Sequence, residues 1–319
     1  MSEPRFLVTG AHGCIGAWVV HELVEAGSPV VTFDLSTDAR RVKLLLGPER
    51  ASEVPHIAGD ITDLEQLERT VDEHGITNII HLAALQVPFC RADPPLGARV
   101  NVLGTVNIFE VAKKRETLAP IVYASSVAAF DAYEEGTEPS MSAHPSTIYG
   151  VYKRANEGTA WVYAAENGIA SVGLRPHTVY GVGRDQGLTS APTTAMLAAA
   201  AGVPFTIPYG GRSEFQFGRD VAQCFIAASV APATGSTVHN LPGVAVSMDE
   251  VVAAIVAAAP GADIQFEGAP LPFPEEVDST SFTNLAGPVP TTPFSDGVAA
   301  TVERFHELLT LGLVTAPTA

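Results

Sequence analysis

Tyr149 and Lys153 stand four residues apart in Thr147 to Asn167, a stretch whose pattern predicts a helix. Their side chains then leave one face, about 5 to 6 Å apart at the Cβ atoms. A phenol with an ordinary pKa of about 10 is a poor base at neutral pH, and a neighbouring ammonium favours its ionised form. Lowering that pKa by about three units takes roughly 4 kcal/mol of differential interaction, so Lys153 is expected to tune Tyr149 into a general acid/base. Ser125 and Ser126 close a predicted strand, and of the two Ser126 is the one placed to hold a substrate oxygen while the phenol moves a proton. Ser126, Tyr149 and Lys153 are the candidate catalytic set.

Near the N-terminus stands Thr9-Gly10-Ala11-His12-Gly13-Cys14-Ile15-Gly16, directly after a β-branched run. Gly10 allows a tight turn, Gly13 lets backbone N–H groups approach a pyrophosphate, and Gly16 lets the next helix lie close to the sheet. Gly10, His12, Gly13, Cys14, Ile15 and Gly16 are therefore candidate dinucleotide contacts. The spacing departs from G-x-G-x-x-G, so the context of strand, helix and acid carries the reading. That acid is Asp34 at the end of the second predicted strand, where a carboxylate can accept both hydrogen bonds of an adenosine ribose diol. It favours NAD over NADP, although Arg40 and Arg41 follow closely enough to reach a 2′-phosphate. Asp60 and Ile61, after the third strand, fit a contact with the adenine edge, and Asp60 fits a helix cap equally well.

These groups need a scaffold, and the first half of the chain supplies its pattern. Strands are expected at Arg5 to Thr9, Pro29 to Asp34, Val54 to Ala58, Asn78 to Ala83, Pro120 to Ser125 and Ala170 to Arg175. Helices are expected at Gly13 to Ala26, Asp63 to Glu73, Pro94 to Arg115 and Thr147 to Asn167. Such alternation builds a doubly wound α/β parallel sheet. After Tyr180 the texture becomes that of a smaller lobe, with a polar loop from Gly181 to Thr194 and helices at Gly218 to Val230, Ser247 to Ala259 and Ser295 to Leu311. Ser236 to Leu241 reads as a strand returning to the first sheet. The Pro-rich stretch from Pro260 to Pro293 reads as an irregular lid.

Composition narrows the function classes. The 319 residues hold 18 Lys plus Arg against 35 Asp plus Glu, a formal charge of −17, which disfavours nucleic acid and anionic membrane as partners. With 46% apolar and 17% charged residues the chain can bury a large core. Its apolar runs fall well short of the ~20 residues of a membrane span, and the N-terminus lacks a secretory pattern, so a cytoplasmic protein is expected. Cys14, Cys90 and Cys224 fit neither a disulfide framework nor metal-ligand spacing, and read as reduced thiols.

The glycine loop, Gly59-Asp60-Ile61-Thr62-Asp63, His81-Leu82-Ala83-Ala84, Asn101-Val102-Leu103-Gly104-Thr105, Tyr123-Ala124-Ser125-Ser126, Tyr149 to Lys153 and Arg175-Pro176-His177-Thr178-Val179-Tyr180-Gly181 occur in order. Together they resemble the extended short-chain dehydrogenase/reductase family, the group that includes NAD-dependent sugar epimerases and dehydratases, over nearly the whole chain. The resemblance implies a Rossmann-like sheet over residues 1–180, with 236–245 returning to it, and a mixed substrate lobe over 181–319. It implies that Leu82, Ala83, Ala84, Leu85, Asn101, Pro176 and Val179 join the cofactor site, with Lys153 on the nicotinamide ribose and backbone near His177 to Val179 on the carboxamide. It also implies a homodimer formed through the helices at Pro94 to Arg115 and Thr147 to Asn167.

Departures from the family pattern bear on the substrate. Dehydratases carry an acidic pair after the position of Ser126, where this chain has Val127-Ala128, neither able to transfer a proton. Sugar-nucleotide epimerases carry Asn in place of Thr178 and an arginine at or near Ser213, whereas here Arg212 is one position off. Gln86, Ser125, Ser126, Tyr149, Thr178 and Arg184 are candidate substrate contacts, Arg184 as a clamp for a carboxylate or hydroxyls. His144 and His177 read as structural. The expected function is NAD-dependent hydride transfer to or from a small polar secondary alcohol, a sugar, sugar acid or similar polyol. The alternatives are an epimerase that oxidises its substrate transiently and a non-catalytic dinucleotide-binding regulator.

Overall fold

The computed structural model describes residues 3–115, 118–130, 145–271 and 273–317; His144 lies outside them. Six short runs form strands β1 (Phe6–Thr9), β2 (Val30–Asp34), β3 (His56–Ala58), β4 (Asn78–His81), β5 (Ile121–Ala124) and β6 (Ser171–Arg175). Between them lie α1 (Cys14–Glu25), α2 (Arg40–Leu46), α3 (Pro48–Glu53), α4 (Leu64–Glu73), α5 (Val87–Ala92), α6 (Pro94–Ala98), α7 (Gly104–Lys113) and α8 (Ile148–Asn167). The remaining chain adds β7 (Thr178–Tyr180), α9 (Ala191–Ala201), β8 (Phe205–Ile207), β9 (Arg212–Phe217), α10 (Gly218–Val230), β10 (Ser236–Asn240), β11 (Val244–Ser247), α11 (Met248–Ala258), β12 (Ile264–Phe266), α12 (Thr280–Ala286) and α13 (Phe294–Thr310).

The large sheet is parallel and runs β10-β6-β5-β4-β1-β2-β3, a Rossmann-like order. Its order reverses beside β1, which opens a crevice at the carboxyl ends of β1 and β4. Helices cover both faces, so the strands read as continuous apolar runs. Neighbouring residues on one strand then serve opposite layers. Val8 and Ile80 pack with Trp18, Val20, Leu23, Val122 and Phe225, whereas Leu7 and Ile79 pack with Phe33, Ile108, Phe109 and Tyr123. A second sheet, β11-β9-β7, and a parallel pair, β12 with β8, build the smaller lobe.

Three features differ from the pattern reading. The helix expected over Pro94 to Arg115 is interrupted by a π-helical turn at Arg99–Leu103, where the Asn101 side chain bonds both backbone atoms of Leu85. Such insertions concentrate at functional sites. The short helices α2, α3 and α5 are additional to the expected elements, being too brief for a helical period to show. The stretch expected to be an irregular lid contains β12 and α12, and its middle is pinned across the lobe. His177 Nε2 donates to Pro274 O at 2.7 Å, Asn240 Nδ2 to Asp278 O at 3.0 Å, and Val277 N to Glu214 Oε2 at 2.9 Å.

Glu214 is buried in β9, where its other oxygen accepts from Gln216 Nε2 at 3.1 Å. Burial raises its pKa from 4.5 to about 6, against the lowering effect of the Val277 and Gln216 bonds. The folded protein thus holds a proton that the unfolded chain releases, so this group's stabilising contribution is full below pH 4.5 and is lost as pH rises through 6. Urea titrations of wild type and Glu214→Gln are expected to show wild type gaining about 2 kcal/mol on the variant as pH falls from 7 to 4.5; parallel profiles would refute the assignment.

Candidate functional site

β1 ends at Thr9 and the chain turns through Gly10 at φ 65. A Cβ there would stand 2.5 Å from Ala83 N, and one on Gly16 would stand 2.2 Å from Gly10 O, so both positions admit only glycine. Gly13 precedes the first helical residue, Cys14, and Ile15 and Gly16 complete a first turn whose N–H groups have no acceptor within the helix. This is an anion-binding end of a helix. Desolvation pushes the Cys14 thiol up to about 11, although Arg184 and Arg41 pull it down, so it stays protonated.

Asp34 sits half-buried at the end of β2. Its Oδ2 accepts from His12 N and its Oδ1 from Ser36 N, each at 2.9 Å, which leaves one lone pair on each oxygen for a diol. Asp60 is exposed and its Oδ1 accepts from Thr62 N and Oγ1 at 2.8 Å, an Asx turn just ahead of the true cap, Asp63. Ile61 is buried against Gly104 and its carbonyl accepts from Asn107 Nδ2 at 3.0 Å. A backbone end, a carboxylate pair of lone pairs and a glycine-lined turn on one crevice fit a dinucleotide.

The walls of that crevice are stitched through His81, whose pKa burial lowers to about 3, keeping it neutral. Thr105 Oγ1 donates to Asn101 O at 2.8 Å and so must accept from His81 Nε2 at 3.1 Å; Nδ1 then accepts from Thr9 Oγ1 at 2.7 Å. Thr9 Oγ1 in turn accepts from Leu82 N and Ala83 N at 3.2 and 3.3 Å. Asn101 grips Leu85 at both backbone atoms, Oδ1 from its N at 2.7 Å and Nδ2 to its O at 2.9 Å. The Leu82-Ala83-Ala84-Leu85 segment is thereby fixed beside the glycine turn. Pro176 O accepts from Val127 N at 3.3 Å, and Val179 lies buried on β7.

Ser126 caps the turn Val127–Ala129, its Oγ accepting from Ala128 N at 3.1 Å. That leaves the hydroxyl proton to donate. Tyr149, in the first turn of α8, has Ser126 as side-chain hydrogen-bond partner. The two elements can meet because residue 150 is glycine: a Cβ there would stand 2.0 Å from Ala128 O. This positioning residue gave no signal in the sequence, since its need arises from an element far away along the chain. Lys153 Nζ donates to Ala124 O at 2.7 Å and lies 5.5 Å from the Tyr149 ring centre.

The expected electrostatics need correction. Burial lowers Lys153 to about 8, with Cys90 and Glu157 opposing, so the ammonium persists at neutral pH. Tyr149 moves in the opposite direction to that expected: burial raises it to about 12, and the influences that lower it are the Ser126 bond and the charge of Arg184. Ser125 is also differently placed. It is buried and donates to Glu157 Oε1 at 2.5 Å, inside a cluster where Arg175 grips the same carboxylate at 2.7 Å through both Nε and Nη2. Its hydroxyl therefore braces α8 against β5 and is not turned to a substrate.

Gln86 and Arg184 converge on Gly187: a Cβ there would lie 3.1 Å from Gln86 Oε1 and 3.9 Å from Arg184 Nη2. Arg184 Nη2 donates to Thr189 Oγ1 at 2.6 Å, while its buried Nε has no partner among the described residues. Thr178 is buried and bonds Ser213 Oγ at 3.0 Å. Arg212 lies on the opposite face of β9, as strand alternation requires. It donates to Ala245 O at 2.7 Å and pairs with Glu250 at 3.7 Å.

Residues 6–241 match the model of the NAD dependent epimerase/dehydratase family. UDP-glucose 4-epimerase of Mycolicibacterium smegmatis is 31% identical over 322 residues, 95% of this chain and 98% of that protein. UDP-glucuronate 4-epimerase 1 of Arabidopsis thaliana is 31% identical over 223 residues, 67% of this chain, and the match spans only about half, 51%, of the plant protein. The crystal structure of Thermus thermophilus UDP-glucose 4-epimerase in complex with NAD superposes with a TM-score of 0.79 at 26% identity, covering 94% of this chain and 98% of that one. Because the contact of α8 with the serine turn depends on residue 150, Gly150→Ala is expected to lower turnover about 100-fold with dinucleotide affinity within about threefold of wild type; turnover within a few fold of wild type would show that the contact does not position Tyr149.

Proposed function

The chain is an enzyme that belongs to the NAD dependent epimerase/dehydratase family, and from that premise we propose that it moves a hydride between NAD and the carbinol carbon of a small polar substrate without a nucleotide handle. A sugar, a sugar acid or a similar polyol fits. The observation that carries this reading is the Thr178 and Ser213 pair, two small hydroxyls bonded to each other where sugar-nucleotide epimerases carry an asparagine and an arginine, while Arg212 lies on the opposite face. Val127 and Ala128, both buried, offer no proton-transfer group for dehydration. Gln86 and the Nε of Arg184, which has no partner among the described residues, offer a polar clamp for hydroxyls or a carboxylate.

Gly10, His12, Gly13, Cys14, Ile15, Gly16, Asp34, Leu82 to Leu85, Lys153, Pro176 and Val179 would hold the cofactor, and NAD when bound accepts the hydride. NAD is preferred over NADP because Asp34 occupies the end of β2. Ser126 donates to the substrate oxygen and fixes it against Tyr149. Tyr149 then accepts the hydroxyl proton as the carbonyl forms, with the Ser126 bond and the charge of Arg184 favouring the phenolate. Positioning contributes most of the rate, because Ser126 is held by Ala128 N and Tyr149 by the Ser126 side chain before the substrate arrives.

A second reading, a UDP-sugar epimerase, is favoured by the likeness to the Mycolicibacterium smegmatis enzyme along nearly its full length. A dehydrogenase releases NADH in excess over enzyme when given NAD and a nucleotide-free substrate panel, whereas an epimerase yields no net NADH and interconverts a UDP-sugar. Net turnover of UDP-sugars with none of the panel would reverse the ranking. For the dehydrogenase, Tyr149→Phe is expected to lose about 1,000-fold or more in turnover with NADH affinity retained. Oxidation should also accelerate as pH rises above 7, because burial keeps the phenol protonated; a flat profile to pH 10 would remove Tyr149 from the proton path.

A homodimer is proposed on a separate observation. Ile148, Val151 and Val162 form an exposed apolar stripe along α8, and Leu96 and Leu103 expose another on the adjoining α6 and π turn. Sedimentation should give twice the 33.3 kDa chain mass, and Val151→Glu should give the single chain. A wild-type monomer at micromolar concentration would exclude this interface.

A further inference from the structure

Arg40 and Arg41 open α2, six and seven residues after the carboxylate that ends β2. Arg41 Nη1 donates to His12 O at 2.9 Å, and His12 N donates to Asp34 Oδ2 at 2.9 Å. One residue therefore separates a guanidinium from the ribose-facing acid. In dinucleotide sites a carboxylate selects the free 2′-hydroxyl and a nearby arginine accommodates a 2′-phosphate. This crevice holds both devices side by side, so the arginines oppose the preference that Asp34 sets.

A residue from far along the chain breaks the tie. The loop after β7 turns at Gly183 and Gly187, both at positive φ, and presents Asp185 to the start of α2. Asp185 Oδ1 accepts from Arg41 Nε at 3.0 Å and from Nη2 at 2.6 Å, a two-pronged grip, while its Oδ2 pairs with Arg40 Nη2. Arg41 and Asp185 are largely covered, with side chains 17% and 33% exposed, so water screens their pairing only in part. A guanidinium held on two nitrogens by one carboxylate has its fork occupied, and its charge is offset where a phosphate would need it.

We propose that Asp185 is a cofactor-specificity residue: by occupying Arg40 and Arg41 it withdraws two cations from the ribose end of the crevice and leaves Asp34 to select NAD over NADP. The proposal rests on the reading of this crevice as a dinucleotide site. It adds to that reading a determinant in the substrate lobe, outside the β1 to α2 segment.

The test is calorimetric titration of the full-length protein with NADH and with NADPH at low salt, which reads binding without any substrate. Wild type is expected to bind NADH at least 10-fold more tightly than NADPH. Asp185→Asn, and independently Asp185→Ala, should tighten NADPH about 10-fold and change NADH less than threefold. Adding Arg41→Ala to either variant should remove the gain. An unchanged NADPH to NADH ratio in both single variants would overturn the proposal while leaving the dinucleotide site standing, as would a wild type that binds NADPH as tightly as NADH. A wild type that binds neither nucleotide removes the underlying reading and this proposal with it.

Discussion

Lys153 carries an ammonium into the interior, 3% exposed, and the desolvation is offset by donation to Ala124 O at the end of β5. That bond fixes the first turns of α8 against the strand that delivers Ser126. Everything chemical in the crevice follows from how closely these two elements approach. Gly150 permits the approach, the Glu157, Arg175 and Ser125 cluster braces it one turn further along, and Tyr149 is brought to the serine as a result. The lysine thus acts first as an anchor for the helix. The phenol's pKa in the protein alone is governed by burial, with the Ser126 bond and the charge of Arg184 opposing it.

The opposite wall is built from neutral polar groups. His81, made a neutral imidazole by burial, passes hydrogen bonds from the end of β1 to the π turn, and Asn101 passes them on to Leu85. Along the Thr9, His81, Thr105 and Asn101 chain, donors and acceptors alternate without a clash. The π turn has a clear purpose in this setting. Its Asn101 carbonyl accepts from both Thr105 Oγ1 and Asn156 Nδ2, so α8 and the crevice wall share one anchor point.

Much of this was legible in the sequence because it is local. The strand, glycine turn and helix around Gly10 to Gly16, the acid ending β2, and the four-residue spacing of Tyr149 and Lys153 are set by neighbours in the chain. Other features were not. Gly150 looks like any helical glycine until Ala128 O is placed beside it, and Ser125 looks equivalent to Ser126 until Glu157 and Arg175 are known to meet there. Asp185 is 144 residues from Arg41 in sequence, and no pattern links them. The direction of the Tyr149 shift also needed three dimensions, because burial depends on what the whole lobe covers.

The edge strand of the large sheet has a consequence for how the protein is made. β6 ends at Arg175, and its partner β10 begins only at Ser236. At synthesis rates of about 5 to 20 residues per second, the roughly 60 intervening residues leave that edge exposed on the ribosome for about 3 to 12 s. Unpaired parallel edges are templates for mispairing with other chains. The nascent chain therefore passes through a window of vulnerability that closes only when Ser236 to Asn240 pairs with β6.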